Sequence, residues 1–260
     1  MTNQKLTLVS ILLLSLFLMA TLATFRQQAQ DKSQSQQKET DKSDENFPLV
    51  SLDTSNQAQR LDETRKMRNE KFDNSRWVKQ TVYEGVASVG RMSHWQLGLP
   101  ALPVQKSDVV AVGVVKSAEA FLSNNQTGVY SEFSVLVDSL VKDNQSKPIE
   151  SGANIVVQRA GGRVRYPTGQ IVKYSVSGQE MPRLNGKYVF FLGYDKQREV
   201  YRIITAYEVS YGKVTALDGK RKDRKSGFVF SQYDGVEERQ FMNELHDTPS
   251  YGNTTIRLFP

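Results

Sequence analysis

The 260-residue chain contains no cysteine. Disulfides, thiolate zinc sites, iron–sulfur clusters, thiol nucleophiles and a lipid-modified N-terminal cysteine are thereby excluded. Histidine is almost as scarce. His94 and His246 are the two in the chain, too few for a multi-histidine metal site. Catalytic signatures are missing as well: there is no G-x-S-x-G elbow, no H-E-x-x-H, no P-loop and no G-x-G-x-x-G after a strand. No cofactor, metal site or catalytic residue is therefore expected. His94, beside Ser93 in a loop, is a candidate base with no identifiable third group. His246 falls at the end of a helix, where a cation suits the dipole. Glu237 and Glu238 suit capping better than acid–base work.

One stretch lacks charge altogether. Leu6 to Phe25 reads LTLVSILLLSLFLMATLATF, and twenty helical residues span about 30 Å, the apolar thickness of a bilayer. The sequence predicts a signal anchor or signal peptide over 1–25, and Thr21-Leu22-Ala23 offers a weak cleavage site. Lys5 precedes the run and Arg26, Lys32 and Lys38 follow it, so charge alone does not orient it. The early position favours an exported remainder. The expected location is the bacterial cell envelope, anchored in the inner membrane through 6–25, or secreted after cleavage. Residues 26–58, rich in Gln, Ser, Lys and Asp, cannot offset their ordering entropy by burial, and read as a disordered polar linker.

Residues 59–107 read as a helix followed by an irregular lead-in. Over 59–75 strong helix formers dominate but Leu61, Met67 and Phe72 are sparse; 76–107 contain Trp77, Trp95, Pro100 and Pro103. From 108 the apolar period becomes two. Strands are expected from about 108, through Val110, Val112 and Val114, and over 129–141, 154–160, 163–166, 170–176, 187–194, 199–207 and 210–216. Turn chemistry separates them at Asn124-Asn125, Gly161-Gly162, Pro167-Thr168-Gly169, Asn185-Gly186 and Asp218-Gly219. A last helix carries Phe241, Met242 and Leu245 on one stripe, with Asp234 as expected cap and Glu237 completing a capping box. The predicted class is mainly β: a small closed or partly open antiparallel barrel over 108–246 with a C-terminal helix, then a tail over 247–260.

Basic charge concentrates in the second half. Residues 155–226 hold 15 basic and 6 acidic side chains. If Gly161-Gly162 is a two-residue hairpin turn, Ala160 pairs with Arg163 and Gln158 with Arg165, and alternation gathers Arg163, Arg165 and Lys173 on one polar face. Guanidinium forks suit carboxylate or phosphate. Lys220, Arg221, Lys222, Arg224 and Lys225 form an auxiliary basic run after a glycine turn. Such surfaces attract polyanions by summed potential. The expected partners are an anionic envelope polymer, lipid headgroups or another envelope protein. An exported location argues against nucleic acid.

The phrases SDVVAVGVV (107–115), GVYSEFSVLVDSLVK (128–142), GANIVVQRAGGRVRYPTGQ (152–170) and GKYVFFLGY (186–194) resemble a family of exported bacterial proteins that has no assigned activity. The likeness covers roughly 90–245. It implies an exported leader before a β-rich domain and transfers no functional residue. By fold analogy the barrel is similar to oligomer-binding and netrin-like barrels. The leading expectation is a non-catalytic envelope-side binding module with a basic face. The alternatives are an extracytoplasmic hydrolase using His94, and a netrin-like protease inhibitor, which the lack of cysteine disfavours.

Overall fold

The computed structural model describes residues 45–52, 62–83, 86–91, 93, 95–219 and 229–249. The apolar run over 6–25, most of the linker, His94, the basic run over 220–225 and the tail from 250 lie outside the described residues. Among the described residues no helix is long and apolar enough to cross a membrane. Asn46–Pro260 forms one compact unit, distinct from Met1–Glu45, and it holds the strands and helices of the fold.

Its strands are β1 (Leu49–Ser51), β2 (Val78–Tyr83), β3 (Val86–Arg91), β4 (Val109–Leu122), β5 (Val129–Lys142), β6 (Asn154–Ala160), β7 (Gly162–Arg165), β8 (Ile171–Val176), β9 (Lys187–Asp195), β10 (Val200–Ser210) and β11 (Lys213–Ala216). The helices are α1 (Glu63–Glu70) and α2 (Glu238–Asp247). Five strands close into a barrel in the order β4-β5-β6-β10-β9 and back to β4. The β6–β10 contact is parallel, and the other four pairings are antiparallel. Closure leaves these strands no free edge, and β11 extends β10 beyond the barrel.

Alternation explains the interior. Val109, Ala111, Phe133, Val135, Val137, Val157, Phe190 and Leu192 fill the barrel. Their neighbours of opposite parity, Val110, Val112, Val189 and Phe191, are buried too, in a second core outside the wall. There α2 lays Phe241 and Leu245 against Tyr207, Val214 and Phe230. Strands covered on both faces need an unbroken apolar sequence, which is why VVAV and YVFFL do not alternate. The β4–β5 pairing is broken by bulges, two of them at Val110/Ala111 and Val112/Gly113. Val141 consequently joins the outer core instead of sharing the interior with Val137. Tyr207 donates its hydroxyl to the Ala101 carbonyl at 2.8 Å, and the Lys142 ammonium donates to the Ser107 carbonyl at 2.6 Å. These bonds hold the stretch over 95–107 across the outer core.

Four local expectations are corrected. Gly161-Gly162 does not turn a hairpin. Gly161, at φ 111°, redirects the chain from β6 into β7, which leaves the barrel for a second sheet of order β1-β7-β8-β3-β2. A Cβ on Gly161 would stand 2.7 Å from the Tyr174 carbonyl oxygen, so backbone approach as well as dihedral selects glycine there. Gln158 therefore lies opposite Glu132 and Arg202, not Arg165. The stretch over 76–107 is not irregular throughout, since it holds β2 and β3, and β1 forms within the stretch read as linker. β1 is three residues long and borrows its order from parallel pairing with β7, a contact no local pattern announces. Finally, Asp234 does not cap α2. Its Oδ1 accepts the Ala216 N–H at 2.7 Å, and the cap position is Glu237, whose side chain makes no capping bond.

Candidate binding site

The outer face of β5 and β6 is polar where α1 covers it. Strand parity turns Tyr130 and Glu132 outward while Phe133 faces the core, and Gln158 of β6 lies directly opposite Glu132. Asp62 caps α1 by accepting the Arg65 N–H at 2.6 Å. The helix then delivers two guanidinium groups to one carboxylate. Arg65 lies 2.8 Å and Arg68 3.5 Å from Glu132 Oε1, a side chain 8% exposed. Gln158 Nε2 donates to the same oxygen at 2.9 Å. Arg65 also stands 3.7 Å over the Phe121 ring and donates to the Tyr130 hydroxyl, which donates in turn to Asn69 Oδ1 at 2.7 Å. Phe72 stacks on Tyr130 with ring centroids 4.2 Å apart. Burial pushes the Tyr130 phenol up to about 12. Burial opposes the charge on Arg65, but its bonds to Glu132 and Tyr130 outweigh that and hold its pKa above the ordinary value.

Two turns grip α1 and the residues that follow it. On the β4–β5 side, Asn124 donates to the Lys66 carbonyl and the Asn125 N–H to Asp73. A Cβ on Gly128 would lie 2.2 Å from the Phe72 carbonyl oxygen, so this turn accepts α1 only with glycine at that place. On the β9–β10 side, Arg68 donates to the carbonyls of Arg198 and Glu199, and Arg198 Nε to that of Met67.

Beyond this seat the surface turns cationic. A depression of about 460 Å³ is lined by Lys71, Lys106, Lys196, Arg198 and Arg202, with Asp108, Asp195 and Tyr194. Both carboxylates are engaged. Asp195 receives Lys71 at 3.3 Å and Arg198 at 3.4 Å, and Asp108 accepts the Tyr194 N–H at 2.6 Å. Among the described residues no ion pair reaches Lys106, Lys196 or Arg202, all exposed. Burial first, then the nearby Arg202 and Arg198, hold the Lys71 ammonium below its usual range despite Asp195. Burial alone would raise the Asp195 carboxyl, but Lys71 and Arg198 outweigh it and leave its pKa below the ordinary value.

The strip read from sequence has a different setting. Arg163 and Lys173 are cross-strand partners in β7 and β8, with Arg165 two residues along. Arg163 Nε donates to the Phe47 carbonyl at 2.7 Å, and the Lys173 ammonium stands 4.1 Å from the Phe47 ring. Phe47, 1% exposed, belongs to the barrel core, so both cations help hold the incoming chain in place. Arg165 is exposed. The run Lys220, Arg221, Lys222, Arg224 and Lys225 lies outside the described residues, as does His94. Sequence reasoning missed Lys71, Lys106, Lys196, Arg198 and Arg202. They come from three separate segments, and the one signal available was the excess of base over acid. Among the described residues no group of three or more His, Asp or Glu side chains could hold a metal ion. Compared with known protein families, curated proteins and solved structures, the chain matches none.

Proposed function

We propose that the chain is a non-catalytic binding module, exported behind its N-terminal apolar run, that holds an anionic envelope polymer on the cationic side of its barrel. One observation carries the reading: the depression beside α1 gathers five cations, and both of its carboxylates are already engaged. Such a surface concentrates polyanions by summed potential and releases their counterions on binding. The architecture favours the same class of ligand. With β4 counted as first strand, the order 1-2-3-5-4-1 with strands three and five parallel resembles that of oligomer-binding barrels, whose flanking loops and second and third strands take extended polymers. Here the β9–β10 turn contributes Lys196 and Arg198.

The test is retention of the full-length chain, in neutral detergent, on immobilised dextran sulfate under rising salt. Replacing Lys106 and Arg202 together by Glu should weaken binding on the order of tenfold, with a shallower salt dependence. Replacing Arg163 and Arg165 by Ala should matter less, because Arg163 already serves Phe47. Unchanged elution of the Lys106/Arg202 variant overturns the reading.

A further inference from the structure

The contact between α1 and the barrel is unusual for a helix. An amphipathic helix normally docks through an apolar stripe, yet the buried residue of α1 is Asn69, while Met67 is 41% exposed. A helix of eight residues does not persist alone in water. α1 is therefore made by its seat, and the seat is built from charge-assisted hydrogen bonds. Without α1 the floor would present the Glu132 carboxylate, the Tyr130 hydroxyl, the Arg198 and Glu199 carbonyls and the open face of Phe121. Gln158 Oε1, buried in a residue 1% exposed, has no partner even with α1 in place. The groove is thus rich in acceptors and has one aromatic wall. That set selects a planar cation able to stack and to donate several bonds in one plane, which arginine does and lysine does not.

We propose that the outer face of β5 and β6, between the β4–β5 and β9–β10 turns, is a recognition groove for a helical peptide bearing two arginines one turn apart, and that α1 is its intramolecular occupant. A partner protein presenting Arg-x-x-Arg on a short helix would take the places of Arg65 and Arg68. Charge complementarity around Glu132 and the two gripping turns define that partner. This inference does not rest on polyanion binding, since none of the contacts to Glu132 involves Lys106, Lys196 or Arg202.

The probe is a synthetic peptide of residues 59–75, QRLDETRKMRNEKFDNS. It is titrated into the full-length chain carrying Arg65→Ala and Arg68→Ala, whose own helix no longer competes. Binding on the order of tenfold tighter than to the unaltered chain is expected, with a comparable loss when the peptide arginines become Lys or when Glu132→Gln is added. If the double variant keeps its β-type circular dichroism and does not bind, or binds equally well without Glu132, the proposal is overturned. If the double variant does not fold, excess peptide is added to the unaltered chain and amide exchange over 65–70 is followed. Faster exchange supports displacement in trans, and unchanged exchange overturns it.

Discussion

Arg159 and Asp218 form a buried bidentate pair, Nη1 to Oδ1 at 2.6 Å and Nη2 to Oδ2 at 2.8 Å, with side chains 1% and 0% exposed. Arg159 also donates to the Glu180 carbonyl, and Asp218 accepts the Glu180 N–H, so the pair ties the stretches around 180 and 218 to the end of β6. Removing one partner leaves a charge in the interior without its counterion. Asp218→Asn or Arg159→Met should each cost about 3–5 kcal/mol, whereas Arg159→Met with Asp218→Leu should recover much of that. Urea unfolding of the three variants checks it; equal losses in single and double variants would contradict it. At this scale the sequence was least legible. Arg159 sits in VVQRAGG with no sign that its charge turns inward, because its partner lies 59 residues away. Arg163 and Lys173 were legible as neighbours but not as supports for Phe47, which lies beyond the segment whose alternation predicted them.

The elements read differently. Strands β4 to β11 were legible because each carries its own alternation or unbroken apolar run between turn residues, and a wall covered twice leaves a strong local record. β1 left little because it is three residues long, and β2 (VKQTVY) and β3 (VASVGR) because neither carries a sustained apolar–polar alternation. α1 was legible as a helix through its formers, while its docking face was not, because arginines that pack look in sequence like arginines that are solvated. Its hold on the barrel is sensitive to alkali. The Tyr130 phenol is pushed up to about 12 from its ordinary 10.0, chiefly by burial. A folded-state pKa above the unfolded one favours folding while the phenol keeps its proton. The contribution is complete below about pH 10 and is lost as pH rises through about 12; at neutral pH it is worth roughly 2–3 kcal/mol. Urea unfolding at pH 8 and pH 11 should show about half of this loss in the unaltered chain and a smaller one in Tyr130→Phe. Identical pH dependence in the two would refute the assignment.

Across the whole molecule, Lys71 belongs to both surfaces. It directly follows α1 and pairs with Asp195 in the cationic depression. Peptide that displaces α1 therefore also removes one cation from the anion's surroundings and leaves Asp195 less neutralised. Saturating the Arg65→Ala/Arg68→Ala chain with the 59–75 peptide should then change its affinity for dextran sulfate. The peptide carries its own lysine at the place of Lys71, which restores that cation beside Asp195. The unaltered peptide should strengthen retention several-fold relative to one carrying Glu at that place. Equal retention with both peptides would show that the two surfaces are independent.

The burial of Phe47 bears on how the domain carries load. The chain enters through a ring sunk in the barrel core, followed by a three-residue strand zipped in parallel to β7. Tension applied to the chain upstream meets this rivet before it reaches any loop. Drawing the ring out would open the barrel interior to water, so the entry of the chain is held by core packing.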